Sequence, residues 1–372
     1  MSTFAYYLKR INARSRDRCG SGFRRFLCAL FLGGGLLAWQ PLAAEPYQAP
    51  AWLPGGHLQT LYPLLITPPW VEYRRERWEL DDGDFLDADW IDSVDRAAPL
   101  LVLFHGLEGD SRGRYALNLM AAAQGRGWRA VVVHFRGSSG EPNRLPRAYH
   151  AGDAAEIELI VARIQRIYPE APMHLVGVSL GGSAMLNWLG LQADQAKNRV
   201  HSAVAVSAPI DLVATGNALD SGINRLIYAS HFLKTLKTKA LAKLDRFPAL
   251  FDAEAVRAAT TLREFDTLVT APLHGYRDAD DYWMRASSKN VLRHIAVPTL
   301  LLNARNDPFL PGEYLPTPDQ VSAAVTLEFP EQGGHVGFVT APFPGRVDWL
   351  PRRIFEFFAA ADAPTPRAAS LN

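Results

Sequence analysis

The 372-residue sequence predicts an α/β fold: a mostly parallel sheet with helices on both faces and a helical insertion late in the chain. Three observations predict it. Short continuous apolar runs alternate with longer stretches of helical spacing, as strands buried on both faces require. A Gly-x-Ser-x-Gly sequence, Gly177-Val178-Ser179-Leu180-Gly181, stands where one apolar run meets a helical stretch. Finally, about 90 residues separate the run ending at Ser207 from the one starting at Thr299, far more than a simple crossover needs.

The chain opens with a segment unlike the rest. Lys9, Arg10, Arg14, Arg16, Arg18, Arg24 and Arg25 make it basic, Phe26 to Trp39 is apolar, and Leu42-Ala43-Ala44 offers small residues. A charged start, an apolar stretch and a small-residue site describe an export signal. The apolar run is shorter than the roughly 20 residues that span a bilayer comfortably. Residues 1–45 are therefore expected to export the chain or associate it with a membrane. The alternative is a start near Glu45 and a cytoplasmic protein. The chain's two cysteines, Cys19 and Cys28, both fall in this segment. The remainder offers no disulfide, thiolate nucleophile or cysteine-held metal.

One large domain that carries the insertion is expected over 46–361. Trp78 to Leu80 and Phe85 to Trp90 flank Asp81-Asp82-Gly83-Asp84 and read as a hairpin. Leu100 to Phe104 and Ala130 to Phe135 are strands, with a helix over Tyr115 to Gln124 between them. A helix follows over about Ala151 to Tyr168, closed by Pro169. Met173 to Val178 is the strand that feeds Ser179, and Gly182 to Leu191 is the helix beyond it. Ala203 to Ser207, Thr299 to Asn303 and Val325 to Phe329 complete the strands, and Val347 to Phe358 is the last helix. A hairpin followed by βα units gives a sheet with an antiparallel start. The excess over about 210–295 is expected to be a helical cap over a site, and the Ala/Pro-rich residues 362–372 read as a disordered tail.

The strand-to-helix glycines point to nucleophilic chemistry. Such a turn is tight enough to strain the serine backbone and to exclude side chains two residues either side. It holds a hydroxyl at the carboxyl edge of the sheet beside a helix N-terminus. A serine hydroxyl needs a base. Of the ten histidines, only His335 follows the strand Thr299 to Asn303, in the loop Gly333-Gly334-His335-Val336-Gly337. An acid must orient that imidazole. Asp307 is the first choice, just after the Thr299 strand, and Asp211, after the preceding strand, is the second. The oxyanion needs two N–H donors. The backbone of Leu180, next to the nucleophile, is one. Leu107, in His105-Gly106-Leu107-Glu108-Gly109, is the other, with His105 shaping the loop. After the Ala130 strand, Arg136 and Glu141 are expected to pair and brace their loop.

At 48% hydrophobic, 21% charged and a formal net charge of +1, the composition fits one large globular domain and gives no support for nucleic-acid binding. No phosphate-binding, dinucleotide or zinc-protease motif occurs, so no cofactor and no metal are expected.

Several segments together resemble the YheT-like branch of the α/β-hydrolases over roughly Trp52 to Phe358. They are His57-Leu58-Gln59-Thr60, Phe104 to Gly109, His134-Phe135-Arg136-Gly137, Gly177 to Gly182, Arg263-Glu264-Phe265-Asp266, Asn306-Asp307-Pro308-Phe309 and Gly333 to Phe338. The resemblance implies an α/β-hydrolase fold and a charge relay of Ser179, Asp307 and His335. It also implies carboxylesterase activity on short acyl esters, with acylglycerols as further substrates. A thioesterase or amidase would use the same parts. A non-catalytic, membrane-tethered binding protein is the rival from another class. Bacterial members of the branch look mostly cytoplasmic, and the N-terminal extension departs from that pattern.

Overall fold

The computed structural model describes residues 45–363. The extension expected over the first 45 residues lies outside the described residues, Glu45 excepted, and so does the tail from 364 onward.

Eight strands form one sheet: β1 (Arg74–Glu79), β2 (Phe85–Ile91), β3 (Leu100–Phe104), β4 (Arg129–His134), β5 (Met173–Val178), β6 (Ser202–Val206), β7 (Thr299–Leu302) and β8 (Val325–Glu328). Their order is β1-β2-β4-β3-β5-β6-β7-β8. β2 pairs antiparallel with β1 and β4, and every other pairing is parallel. This is the expected mostly parallel sheet with an antiparallel start.

The pleat sorts side chains to two faces. Leu100, Val102 and Phe104 of β3 join one core with α2 (Ala154–Ile167) and α3 (Leu180–Gln192). Leu101 and Leu103 join the other, with α1 (Arg114–Gln124) and α7 (Trp349–Asp362). Such two-sided burial is why the strands read as unbroken apolar runs. Between β6 and β7 the chain forms α4 (Leu212–Leu219), α5 (Ser230–Lys243), α6 (Ala279–Ala286) and several shorter turns. These carry a third core, which includes Leu219, Tyr228, Phe265 and Trp283. Among the described residues no helix is long and apolar enough to cross a membrane.

Two expectations need correction. β1 begins at Arg74, four residues before Trp78. Its first half is charged because Arg75 and Arg77 lie opposite Asp89 and Asp87 in register and pair with them at 2.7 and 2.8 Å. Cross-strand ion pairs, not apolar contacts, hold this edge. Nor do Arg136 and Glu141 pair. Arg136 is buried and turns inward to Glu156, Asp82 and Asp84 at 3.1, 2.7 and 3.0 Å. Glu141 lies on the surface and meets Arg77 at 2.7 Å. A buried guanidinium needs charged acceptors, and the buried Asp84 and Glu156, with the exposed Asp82, provide them.

Candidate active site

The loops after β3, β5, β7 and β8 meet at the carboxyl edge of the sheet, where open α/β sheets bind ligands. Ser179 sits in the turn from β5 to α3 with φ 52° and ψ −125°, a strained conformation for a non-glycine residue. Its neighbours have no room for side chains. A Cβ on Gly177 would stand 2.6 Å from Gly182 Cα, and one on Gly181 would stand 2.4 Å from the His105 carbonyl oxygen. The Ser179 amide donates to the Val206 carbonyl at 2.9 Å, which fixes the turn against β6.

The structure brings His335 and Asp307 to this serine. His335 Nε2 lies 3.0 Å from Ser179 Oγ, and Nδ1 lies 2.9 and 3.2 Å from the two oxygens of Asp307. Asp307 is buried and also accepts the Phe309 amide at 2.8 Å. The Phe309 ring stacks on the imidazole, with centroids 3.9 Å apart. Asp211 is occupied elsewhere. It caps α4 by accepting the Ala214 amide at 3.1 Å, and it pairs with Lys289.

The loop after β3 packs beside Ser179. Gly106 lies against the serine: a Cβ on it would be 3.1 Å from Ser179 Cβ. The Gly106 amide donates to Tyr115 Oη at 3.0 Å, that of Glu108 to Tyr149 Oη at 2.8 Å, and that of Gly109 to the Gly106 carbonyl at 3.0 Å. Among the described residues the Leu107 amide has no protein partner. The Leu180 amide opens α3, where first-turn amides lack intrahelical acceptors. His105 is fully buried, and burial pushes its imidazole down to about 3, so it stays neutral. Its Nε2 accepts the Phe135 amide at 3.1 Å. That places it as a brace for the loop.

One residue of this site carried no role in the sequence reading. Gln59 is fully buried, packed against the loops that carry Asp307 and His335. Its Oε1 accepts from the Gly333 amide at 2.8 Å and from Asn306 Nδ2 at 2.9 Å. Its Nε2 donates to the Leu53 carbonyl at 2.8 Å and to Gln332 Oε1 at 2.7 Å. The adjacent Thr60 hydroxyl accepts the His335 amide at 2.9 Å. Gln59 and Thr60 stood in one of the segments that carry the family resemblance, which was the only available signal.

Ser179, Leu107 and Leu180 border a cavity of about 800 Å³ between the sheet edge and the helices over 212–283. Its deeper wall is largely apolar, with Leu212, Leu219, Phe265, Val269 and Trp283, while Glu141, Lys239, Lys243 and Arg246 lie among its polar lining. The arrangement can activate a hydroxyl, hold a carbonyl oxygen on two amides and enclose an apolar ligand beside them.

A family model described as the alpha/beta hydrolase fold matches residues 99–342. The chain belongs to the α/β-hydrolase family. This hydrolase is 40% identical over 308 residues to YheT of Escherichia coli K12, a protein named as a candidate esterase, and the match covers 80% of this chain and 88% of that one. It is 31% identical over 330 residues to the phospholipase ABHD3 of Mus musculus, covering 86% and 80%. It is also 31% identical over 252 residues to a monoacylglycerol lipase of Saccharomyces cerevisiae, covering 66% and 56%. The hydrolase thus stands in the YheT-like branch.

Proposed function

We propose that this hydrolase is a serine-dependent carboxylic ester hydrolase that works through an acyl-enzyme, on short-chain acyl esters and on acylglycerols. Ser179 Oγ attacks the ester carbonyl while His335 Nε2 takes its proton. Asp307 holds the Nδ1–H tautomer and stabilises the imidazolium that forms. The Leu107 and Leu180 amides receive the oxyanion. Collapse of the tetrahedral intermediate expels the alcohol, which takes the proton back from His335. Water, activated by the same imidazole, then releases the acid and restores the serine.

The observation that carries this reading is the continuous contact from Ser179 Oγ through the His335 ring to Asp307, at 3.0 and 2.9 Å. The names of the relatives support ester and acylglycerol substrates. A cavity of about 800 Å³ lies within the range that encloses whole small-molecule ligands, which supports acylglycerols as well as short esters as substrates. The test is hydrolysis of p-nitrophenyl butyrate by the purified protein and by Ser179→Ala, with fluorophosphonate labelling as a second readout. Turnover should fall by several orders of magnitude and labelling should vanish. A variant that still hydrolyses at the parent rate would end the proposal.

A further inference from the structure

The segment Arg263-Glu264-Phe265-Asp266 has no part in the mechanism above, yet its Phe265 and Asp266 line the cavity. Three of its residues have evident structural work. Arg263 pairs with Asp280, donates to Asn217 Oδ1 at 2.8 Å, and sits 4.5 Å over the Trp283 ring. Glu264 forms a capping box with Thr261. Phe265 is buried in the insertion's core.

Asp266 is different. It opens a single π turn, Asp266–Thr270, a device that recurs at functional sites. Its Oδ1 accepts the Thr270 hydroxyl at 2.6 Å and its Oδ2 accepts Trp283 Nε1 at 2.8 Å. Both donors are neutral. The charged group nearest in kind is another acid, Asp220, which is held by the Leu262 and Arg263 amides at 2.7 and 3.0 Å. Tyr282, on the facing helix, has its phenol engaged by the Ala151 amide at 3.0 Å. Arg263 is turned to Asp280 and Asn217. Asp266 nevertheless keeps accessible surface, and it lines the cavity together with Thr270 and Trp283.

A carboxyl with no cation in an otherwise apolar wall is costly. Two neutral hydrogen bonds occupy about half of its acceptor sites. The remainder have no protein partner among the described residues, and the residue lines the cavity. On the esterase reading, short acyl esters and acylglycerols bring hydroxyls and no ammonium group to this wall, and Arg263 is spent on Asp280. A neutral hydroxyl fits. We propose that Asp266 is a specificity-determining residue that accepts a hydrogen bond from a hydroxyl of the substrate, an inference that rests on the esterase reading of the same site. Burial pushes its carboxyl up to about 6, which still leaves it mostly ionised, and a strong acceptor, at neutral pH.

The test uses the full chain and two matched pairs of esters. One pair, monobutyrylglycerol and propyl butyrate, places hydroxyls in the alcohol half. The other, p-nitrophenyl 10-hydroxydecanoate and p-nitrophenyl decanoate, places one in the acyl half. The parent should prefer the hydroxylated member of one pair by tenfold or more in kcat/KM, and that pair tells which half of the substrate reaches Asp266. Asp266→Asn, which keeps the shape but gives up the charge and one acceptor oxygen, should shrink that preference at least threefold. A parent without preference in either pair overturns the inference and needs no variant. So does an Asp266→Asn protein that loses both members of a pair alike, or neither. Turnover that depends on Ser179 but shows no preference sinks only this inference. Absence of Ser179-dependent turnover sinks the esterase reading with it.

Discussion

Replacing Gln59 by leucine tests how the base is held in place. The substitution nearly preserves volume but removes four hydrogen bonds, to Gly333, Asn306, Leu53 and Gln332. Gln332 is exposed and can turn to water. The Gly333 amide and the Leu53 carbonyl belong to buried residues and cannot. Each buried group left unpaired costs about 1–3 kcal/mol, so the two together cost roughly 2–6 kcal/mol. The catalytic consequence follows from position. Asn306, freed from Gln59, is also the acceptor of the Gly334 amide at 3.0 Å, one residue before His335. A displacement of the imidazole by about 1 Å is worth about 100-fold in rate. We expect kcat on p-nitrophenyl butyrate to fall about 10- to 100-fold, with KM within about threefold of the parent and fluorophosphonate labelling slowed in proportion. The urea midpoint should fall as well. A lowered midpoint with undiminished kcat would refute the positioning role. If neither moved, the hydrogen-bond network itself would be wrong.

Two further tests concern the acid and the buried histidines. Asp307→Asn should lower kcat by about 10⁴-fold, since an amide stabilises the wrong tautomer, whereas Asp211→Asn should leave kcat within about threefold. Equal losses from the two would contradict the assignment. His105 and His174 are fully buried, and burial pushes each imidazole down to about 3, because the charged form of a base suffers most from desolvation. Both rings should remain neutral in nitrogen-resolved NMR spectra as pH drops from 7.5 to 5, and a ring that gains its proton near 6.5 would show the burial to be wrong.

Legibility in the sequence tracked the range of the physics. β3 and β5 announced themselves because every side chain along them is buried, so Leu100 to Phe104 and Met173 to Val178 are apolar without a break. The start of β1 did not, since Arg74, Arg75 and Arg77 pair with Asp92, Asp89 and Asp87, acids that no apolar pattern marks. Arg136 was misassigned for the same reason. Glu141 was its neighbour along the chain, but Glu156, Asp82 and Asp84 are its neighbours in space.

What the sequence determined by itself is the turn that carries Ser179. Its requirements lie within five consecutive residues, of which the first and last, Gly177 and Gly181, have no room for a Cβ where the strand runs straight into the helix. Only the tertiary structure decided which acid faces the imidazole. Asp211 and Asp307 both follow parallel strands, but β7 lies beside β8, whose loop carries His335, while Asp211 is spent on a helix cap and Lys289. The same holds for Gln59, whose partners stand far along the chain at Asn306 and Gly333. A contact of that span leaves no period in the sequence, because it is set by where the sheet delivers two loops and not by any local preference of the backbone.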